Sequence, residues 1–224
     1  MELARTAKCG YDGCVNQNIP SVDRIARLKI TLDYSEPVIV RRIEVPLRST
    51  LHTLHEVIQA VMLFENYHLF QFDVGPRGHE THYGIPDPDG FVEVIDARHA
   101  TLDQLIDAKV IKFTYTYDFG DDWRHTATVE AIMLADPELI YPRFIDGARR
   151  APPEDVGGQP GFEHFLTVIA DPGHPEHDDI KQWYGRAFDP DDISETKIAA
   201  RMAKLNKRKP TTKPKPAKSK RQIN

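Results

Sequence analysis

The sequence predicts an α+β fold, a single domain in which an antiparallel, hairpin-rich sheet packs with several helices. Apolar and polar residues alternate in short stretches between positions 26 and 129, which is the period of half-buried strands. Turn sequences rich in Gly, Pro and Asp separate these stretches by a few residues, which favours hairpins over crossover helices. Beyond position 152 the period becomes helical, so strands and helices are segregated along the chain.

Length and composition fit one globular domain. The chain has 224 residues, 40% apolar and 28% charged, which excludes a wholly disordered protein. No apolar run approaches the ~18 residues that span a bilayer, and the first residues lack the apolar core of a secretory signal. The sequence therefore predicts a cytoplasmic protein without a membrane partner. The two cysteines, Cys9 and Cys14, form half of a zinc pattern and are interpreted as incidental thiols.

Charge is divided unevenly along the chain. From Lys204 to Asn224 there are nine basic residues and no acidic ones; removing them from the 29 basic residues leaves 20 against 34 acidic residues, a charge of −14. Because this segment is rich in proline and poor in apolar residues, it is predicted to be disordered. We interpret 1–23 as a loose leader, 24–206 as the α+β domain and 207–224 as a disordered basic tail.

Two strands and a helix open the predicted fold. The first strand starts near Ala26 and alternates inward apolar with outward polar residues. In the second strand the apolar phase changes at Arg41–Arg42, which predicts a β-bulge there. The apolar residues are Val38 and Val40 before this point and Ile43 and Val45 after it. An amphipathic helix follows, with Ser49 or Thr50 as its N-cap.

A meander and a hairpin continue the predicted sheet. Short apolar stretches at 68–74, 80–85 and 91–95 are separated by turn sequences, which predicts three consecutive antiparallel strands. A helical turn at 102–106 follows. The clearest alternation surrounds Gly120 and predicts a β-hairpin.

After Pro152 the apolar residues recur at helical spacing. One helix is expected to end before Asp171–Pro172, a second to open at His174–Pro175, and a third to follow Asp189. Their predicted inward residues are Phe162, Phe165, Leu166 and Ile169; then Ile180, Trp183 and Tyr184; and finally Ile193, Ile198, Met202 and Leu205.

The segment 115–125 is the first candidate for chemistry. It places Asp118, Asp121 and Asp122 at a hairpin turn and His125 on the returning strand. Hard cations favour clustered carboxylate oxygens, so this pattern indicates a candidate metal site, although the spacing differs from that of a calcium loop. Asp and Gly are also common turn residues, and a purely structural turn is the alternative.

The second candidate is the segment 152–161, a proline-stiffened loop that leads into a glycine-containing helix entrance. Backbone N–H groups at such an entrance can bind an anion. The Lys and Ser/Thr of a nucleotide-binding loop are absent, and Glu154 and Asp155 would repel phosphate. A simple loop-to-helix connection is the alternative.

The third candidate is the segment 171–179. His174 and His177 are three residues apart, with Asp178 beside them, and such a set could bind zinc or iron. The spacing differs from that of zinc-protease helices. Acidic residues also stabilise the start of a helix, so capping alone is the alternative.

These three segments together resemble the plasmid pRiA4b ORF-3-like proteins, a family also labelled as resolvase-like passenger proteins of insertion elements. The shared patterns are Y-x-Y-D-F-G-D-x-W-x-H from Tyr115, P-P-E-D-x-G-G-x-x-G from Pro152 and D-P-x-H-P-E-H from Asp171, together with short matches such as Leu54–His55 and His68–Leu69. The resemblance spans about 26–205 and implies one α+β domain found on plasmids and mobile elements.

Several positions depart from the family pattern. Val40 and Phe70 stand where relatives usually have Trp and His, and Ala151 and Val156 where relatives often have Cys. A metal or redox site that needs those cysteines is therefore excluded here. The residues also give no support to the resolvase label, because a strand-cleaving serine needs a basic catalytic face and this body is acidic.

Two functions follow as hypotheses. The first is a non-catalytic binding or accessory module of mobile DNA, with weak nucleic-acid contact through the 204–224 segment. The second is a metal-dependent, hydrolase-like enzyme that uses a divalent cation. We expect the three segments to meet, with Asp118, Glu154 and His177 within about 20 Å of one another. The candidate shared site is Tyr117, Asp118, Asp121, Asp122, Trp123, His125, Glu154, Asp155 and His164, and the candidate metal ligands are His174, His177 and Asp178.

Overall fold

The computed structural model of the protein describes residues 24–90 and 92–207. The predicted leader with its two cysteines, and the basic tail from residue 208 onward, lie outside the described residues. Over the described part of the chain, no helix is long and apolar enough to cross a membrane.

Within the described residues eight strands form one sheet, and this confirms the predicted α+β class. Their order is β5-β4-β3-β6-β7-β1-β2-β8, and neighbouring strands are antiparallel except β4 and β5. The strands are β1 (Arg24–Leu32), β2 (Val40–Pro46), β3 (Phe70–Val74), β4 (Thr81–Gly84), β5 (Val94–Asp96), β6 (Lys112–Tyr117), β7 (Trp123–Leu134) and β8 (Arg143–Ala148).

The part of the chain that the structure describes also contains five helices, which pack with the sheet around one contiguous apolar core. They are α1 (Leu51–Met62), α2 (Leu102–Asp107), α3 (Gly158–Ala170), α4 (His177–Tyr184) and α5 (Glu195–Lys207). Helix α1 begins as predicted, because the Thr50 side chain accepts a hydrogen bond from the Thr53 amide at 3.1 Å. Helix α1 packs against α5, and α3 packs against α4.

The prediction of a β-bulge in β2 is wrong. The register of β2 with β1 is unbroken, and the inward positions are Ile39, Arg41, Ile43 and Val45, all buried. The register shift between Arg42 and Ile43 lies on the other side, where β8 contributes the extra residue. The apolar phase therefore does not change at all: an arginine occupies an inward position, and Val38 is half exposed.

Two further elements differ from the sequence prediction. The strands β3, β4 and β5 are not a meander, because β5 runs parallel to β4 and has only three residues, too few for alternation to indicate its direction. Helix α4 begins at His177 rather than at the predicted His174–Pro175, and none of its residues is fully buried. Trp183 contacts Phe165 but remains 50% exposed, so its predicted inward position is wrong.

Candidate functional site

The hairpin turn between β6 and β7 is closed by Asp118. Its Oδ1 accepts hydrogen bonds from the amides of Gly120 and Asp121 at 2.9 and 3.3 Å. Its other oxygen, Oδ2, lies 3.4 Å from Nε2 of His68. The Asp118 side chain is only 9% exposed, so the turn holds a buried carboxylate oxygen against an imidazole.

The loop that precedes α3 brings Glu154 to the same place. Its Oε1 accepts hydrogen bonds from the Tyr117 hydroxyl at 3.0 Å and the Glu65 amide at 2.5 Å. Its Oε2 is buried without a hydrogen-bond partner and lies 3.9 Å from Nε2 of His68. Burial raises the pKa of Glu154, and burial together with the Glu154 charge raises that of Tyr117, whose hydroxyl therefore stays protonated as a donor.

Asp155 completes what we call the His68 cluster: His68, Asp118, Glu154 and Asp155. Its Oδ1 lies 3.0 Å from Nε2 of His68, which is shielded from solvent yet forms no well-directed hydrogen bond. One ligand atom each from His68, Asp118 and Asp155 lies within 4.8 Å of the others. Among the described residues no Lys or Arg pairs with the three carboxylates, so the cluster is rich in uncompensated negative charge.

Backbone contacts hold the hairpin turn and the loop together. Oδ2 of Asp121 accepts a hydrogen bond from the Gly157 amide at 3.2 Å. Gly158 has a φ of +65° and lies so close to the Asp121 carbonyl that a Cβ atom would be 2.8 Å from its oxygen. The Tyr117 hydroxyl also accepts from the Tyr67 amide at 3.0 Å, which fixes the segment carrying His68. Two of the three sequence segments therefore meet.

Other predicted residues of the hairpin lie outside this cluster. Asp122 forms an exposed ion pair with Arg124 at 2.9 Å. Trp123 is buried against Phe162 of α3, with ring centroids 6.4 Å apart. His125 is fully buried, its Nδ1 donates to the Trp123 carbonyl at 3.0 Å, and burial lowers its pKa to about 4, so it is a neutral core residue.

The third segment forms a separate group on α3 and α4. His164 lies 2.6 Å from a Glu176 oxygen, and its ring is 6.0 Å from that of His174. His177 donates from Nδ1 to the Val168 carbonyl at 3.0 Å, and Asp178 is exposed in the first turn of α4. Among the described residues, no hydrogen bond, ion pair or ring contact joins this group to the His68 cluster, and the expected approach of His177 to Asp118 stays a prediction.

The central residue of the cluster, His68, is not among the candidate site residues that the sequence motifs indicate. His68 was present in the family resemblance, as His68–Leu69, but not as a ligand. The available signal is a histidine at the start of the predicted strand 68–74, with a hairpin turn carrying Asp118 later in the chain. Its partners come from two other loops, and only the strand order β3-β6-β7 brings them together.

An imidazole with three carboxylates defines a class of site that binds divalent cations. Nitrogen and oxygen donors of this kind bind zinc, iron and manganese. The fold and the cluster thus describe an α+β protein with a candidate metal centre at the turn of a β-hairpin.

The chain belongs to the plasmid pRiA4b ORF-3-like family, whose model matches residues 24–197. It is 37% identical over 188 residues to the uncharacterised protein y4hQ of Sinorhizobium fredii, covering 83% of this chain and 91% of that protein. The crystal structure of a protein of unknown function, MM3350 from Methanosarcina mazei Go1, is also similar. It has a TM-score of 0.71 and 34% identity, and the match covers 78% of this chain and 96% of that one.

Proposed function

We propose that the protein binds a divalent transition-metal cation at the His68 cluster. The observation that carries this proposal is the approach of ligand atoms from His68, Asp118 and Asp155 to within 4.8 Å of one another. The buried Oε2 of Glu154 supports it, because this oxygen has no hydrogen-bond partner and faces the same imidazole nitrogen. A cation would supply a partner for all four groups.

The donor set favours a metal of intermediate hardness. Carboxylate oxygens alone suit magnesium or calcium, whereas an imidazole nitrogen among carboxylates suits manganese, iron or zinc. We therefore choose Mn²⁺ and Zn²⁺ as probes. Because metal binding needs neutral imidazole and ionised carboxylates, affinity should fall as the pH is lowered.

Elemental analysis and calorimetric titration of the whole protein with Mn²⁺ and Zn²⁺ test the proposal. We expect one bound ion per chain, and at least about tenfold weaker binding in His68→Ala and Asp155→Asn. His82→Ala is a matched control, because His82 also pairs with a carboxylate, Asp73, at 2.7 Å on a neighbouring strand. Absence of binding, or equal binding in all four proteins, would contradict the proposal.

A metal-dependent hydrolase is the second candidate, and Glu154 is the observation that favours it. In this candidate the Glu154 oxygen without a hydrogen-bond partner stays off the cation and would act as a general base toward water, since burial raises the pKa of Glu154. Hydrolysis of p-nitrophenyl phosphate by the metal-loaded protein tests this candidate. A Glu154→Gln protein that keeps the metal and the hydrolysis rate would exclude Glu154 as the base.

The family name and the charge distribution support an accessory role in mobile DNA. The 204–224 segment carries nine basic residues and no acidic ones, a composition that attracts phosphate. We therefore extend the proposal to a weak, non-specific nucleic-acid contact by this segment, in the cytoplasm. Binding of random-sequence DNA at low salt tests it.

A further inference from the structure

A cavity of about 350 Å³ lies beside the His68 cluster and shares Glu154 and Asp155 with it. This volume is within the range of small-molecule sites. The cavity wall carries five cationic side chains and three carboxylates, Glu65, Glu154 and Asp155. The cations that line the cavity are Arg41, Arg150, Arg186, Lys197 and Arg201.

Arg41 is the strongest observation in this cavity. Its side chain is fully buried on the inner face of β2. Nε donates to the Val61 carbonyl at 2.9 Å, and Nη1 donates to the carbonyls of Val40, Ala148 and Arg149 at 2.8 to 3.0 Å. Nη2 is buried without any hydrogen-bond partner.

The guanidinium of Arg41 also lacks a counter-ion. Within the described chain, no carboxylate forms an ion pair with it, and burial alone lowers its pKa, to about 10, so that it stays charged at neutral pH. The carbonyls, including one in the last turn of α1, compensate part of this charge through their dipoles. A buried charge without an opposite charge is costly, and an anion in the cavity would remove that cost.

The other cations leave room for an anion as well. Arg201 forms a close ion pair with Glu65 at 2.5 Å. The ion pair of Arg150 with Asp192 is looser, at 3.8 Å. Arg186 lies over the Tyr184 ring at 4.9 Å, and neither it nor Lys197 pairs with a described carboxylate. The positive charge of this wall is therefore only partly neutralised.

Two exposed aromatic rings line the same cavity. Tyr67 is 72% exposed and Trp183 is 50% exposed, which leaves both free to contact a ligand. Large exposed rings inside a cavity favour a flat, apolar part of a ligand. The arginines of the wall thus favour a ligand with an anionic group, and the aromatic rings favour a flat ring in the same ligand.

We propose that this cavity binds a small organic anion that carries a phosphate or carboxylate group beside a flat ring, with Arg41 as the buried partner of the anionic group. The binding step itself requires no metal, so it goes beyond the metal site. Glu154 and Asp155 line the cavity too and would repel the anionic group, so that group belongs on the arginine side of the wall.

Calorimetry and quenching of tryptophan fluorescence test the proposal on the whole, metal-free protein. The probes are adenosine monophosphate, benzoate, inorganic phosphate and adenosine. We expect at least one of the two ring-bearing anions to bind, and to bind more tightly than inorganic phosphate or adenosine. Whether adenosine monophosphate or benzoate binds more tightly identifies the anionic group. If neither ring-bearing anion binds, the proposal is wrong.

Variants separate the role of Arg41 from general charge. Arg41→Gln should weaken binding at least about tenfold, as for loss of a charged hydrogen bond. If that protein does not fold, the exposed pair Arg186→Gln and Lys197→Gln should together weaken binding about tenfold, since each exposed charge contributes about twofold to fivefold. Lys204→Gln, on α5 outside this cavity, is the matched control and should bind unchanged.

The His68→Ala protein distinguishes this inference from the metal proposal. Anion binding that persists in it supports the cavity, whether or not the metal proposal holds. Anion binding that requires both His68 and added metal would place the anion on the cation and overturn the role given to Arg41. The role given to Arg41 would also be overturned if Arg41→Gln bound the anion as well as the Lys204→Gln control does. The cavity proposal would be overturned if the double variant bound the anion as well as that control.

Discussion

The indole of Trp123 joins the sheet to helix α3. It lies at the first position of β7, is buried, and meets the Phe162 ring edge-on at an interplanar angle of 88°. Because the hairpin turn with Asp118 directly precedes it, Trp123 also anchors the turn that forms the candidate metal centre.

Truncation of this residue should be costly. We expect Trp123→Ala to lower the free energy of unfolding by about 3–5 kcal/mol, because a large buried ring is removed and its site cannot fully collapse. Urea unfolding, followed by far-ultraviolet circular dichroism, measures the change. Trp183→Ala is the control: that ring is half exposed, so its loss should be much smaller. A loss below about 1 kcal/mol for Trp123→Ala would contradict the packing described.

Single residues also explain where sequence reasoning reached its limit. A pattern of alternating apolar and polar residues predicts that an arginine faces solvent. Arg41 faces inward instead, and four carbonyl oxygens accept hydrogen bonds from its N–H groups. His125 was grouped with the turn carboxylates because it follows them closely in sequence. Its strand position instead places it between the Phe64 and Tyr115 rings. The spacing of residues shows which of them are near one another along the chain. It does not show which face of the sheet a side chain lies on or how deeply it is buried.

At the scale of elements, the contact between the hairpin turn and the loop before α3 depends on one glycine. Gly158 combines a φ of +65° with a close approach to the Asp121 carbonyl oxygen. A side chain at this position would both strain the backbone and push the loop from the turn. The relative position of Asp118 and Asp155 therefore depends on a residue that contacts no ligand.

Gly158→Ala should consequently affect both stability and metal binding. We expect a loss of about 1–3 kcal/mol in the free energy of unfolding, together with weaker Mn²⁺ binding in calorimetry. Gly78→Ala is the matched control, because Gly78 has a φ of +84° but no atom within 4 Å of a Cβ position. It should be destabilised by backbone strain alone and bind Mn²⁺ normally. Unchanged metal binding in Gly158→Ala would show that the loop position is set elsewhere.

Elements with strong periodicity were predictable, and weakly patterned ones were not. Strand β1, the β6–β7 hairpin and helix α1 follow from alternation, a turn and a cap. Strand β8 was missed because it lies at the sheet edge, where none of its residues is fully buried and no apolar face develops. The pairing of β3 with β6, which brings His68 to Asp118, is a long-range property that local patterns do not contain.

At the scale of the whole molecule, charge separates the body from the tail. A chain ending at Lys207, where α5 ends, removes seven of the nine terminal basic residues. We expect the whole chain to bind random-sequence DNA weakly at low salt, with affinity falling steeply on a log–log plot, by about 0.7–0.9 units of slope per phosphate contact. Fluorescence anisotropy across a salt series measures this.

The shortened chain should lose that binding and keep its midpoint of thermal unfolding, because it retains every core residue that the structure describes. Equal binding by both chains would place a nucleic-acid site on the body. Failure of the whole chain to bind would exclude this partner at the salt concentrations used.

The central position of β1 affects how the chain is made on the ribosome. Leu28 pairs on one side with Ile43, which is synthesised almost at once, and on the other side with Val129, about a hundred residues later. At about 5–20 residues per second, the second edge of this nine-residue strand stays open for about 5–20 s of synthesis. An open edge in a nascent chain can pair with a neighbouring polypeptide, so β1 is a segment where a growing chain is exposed to misassembly.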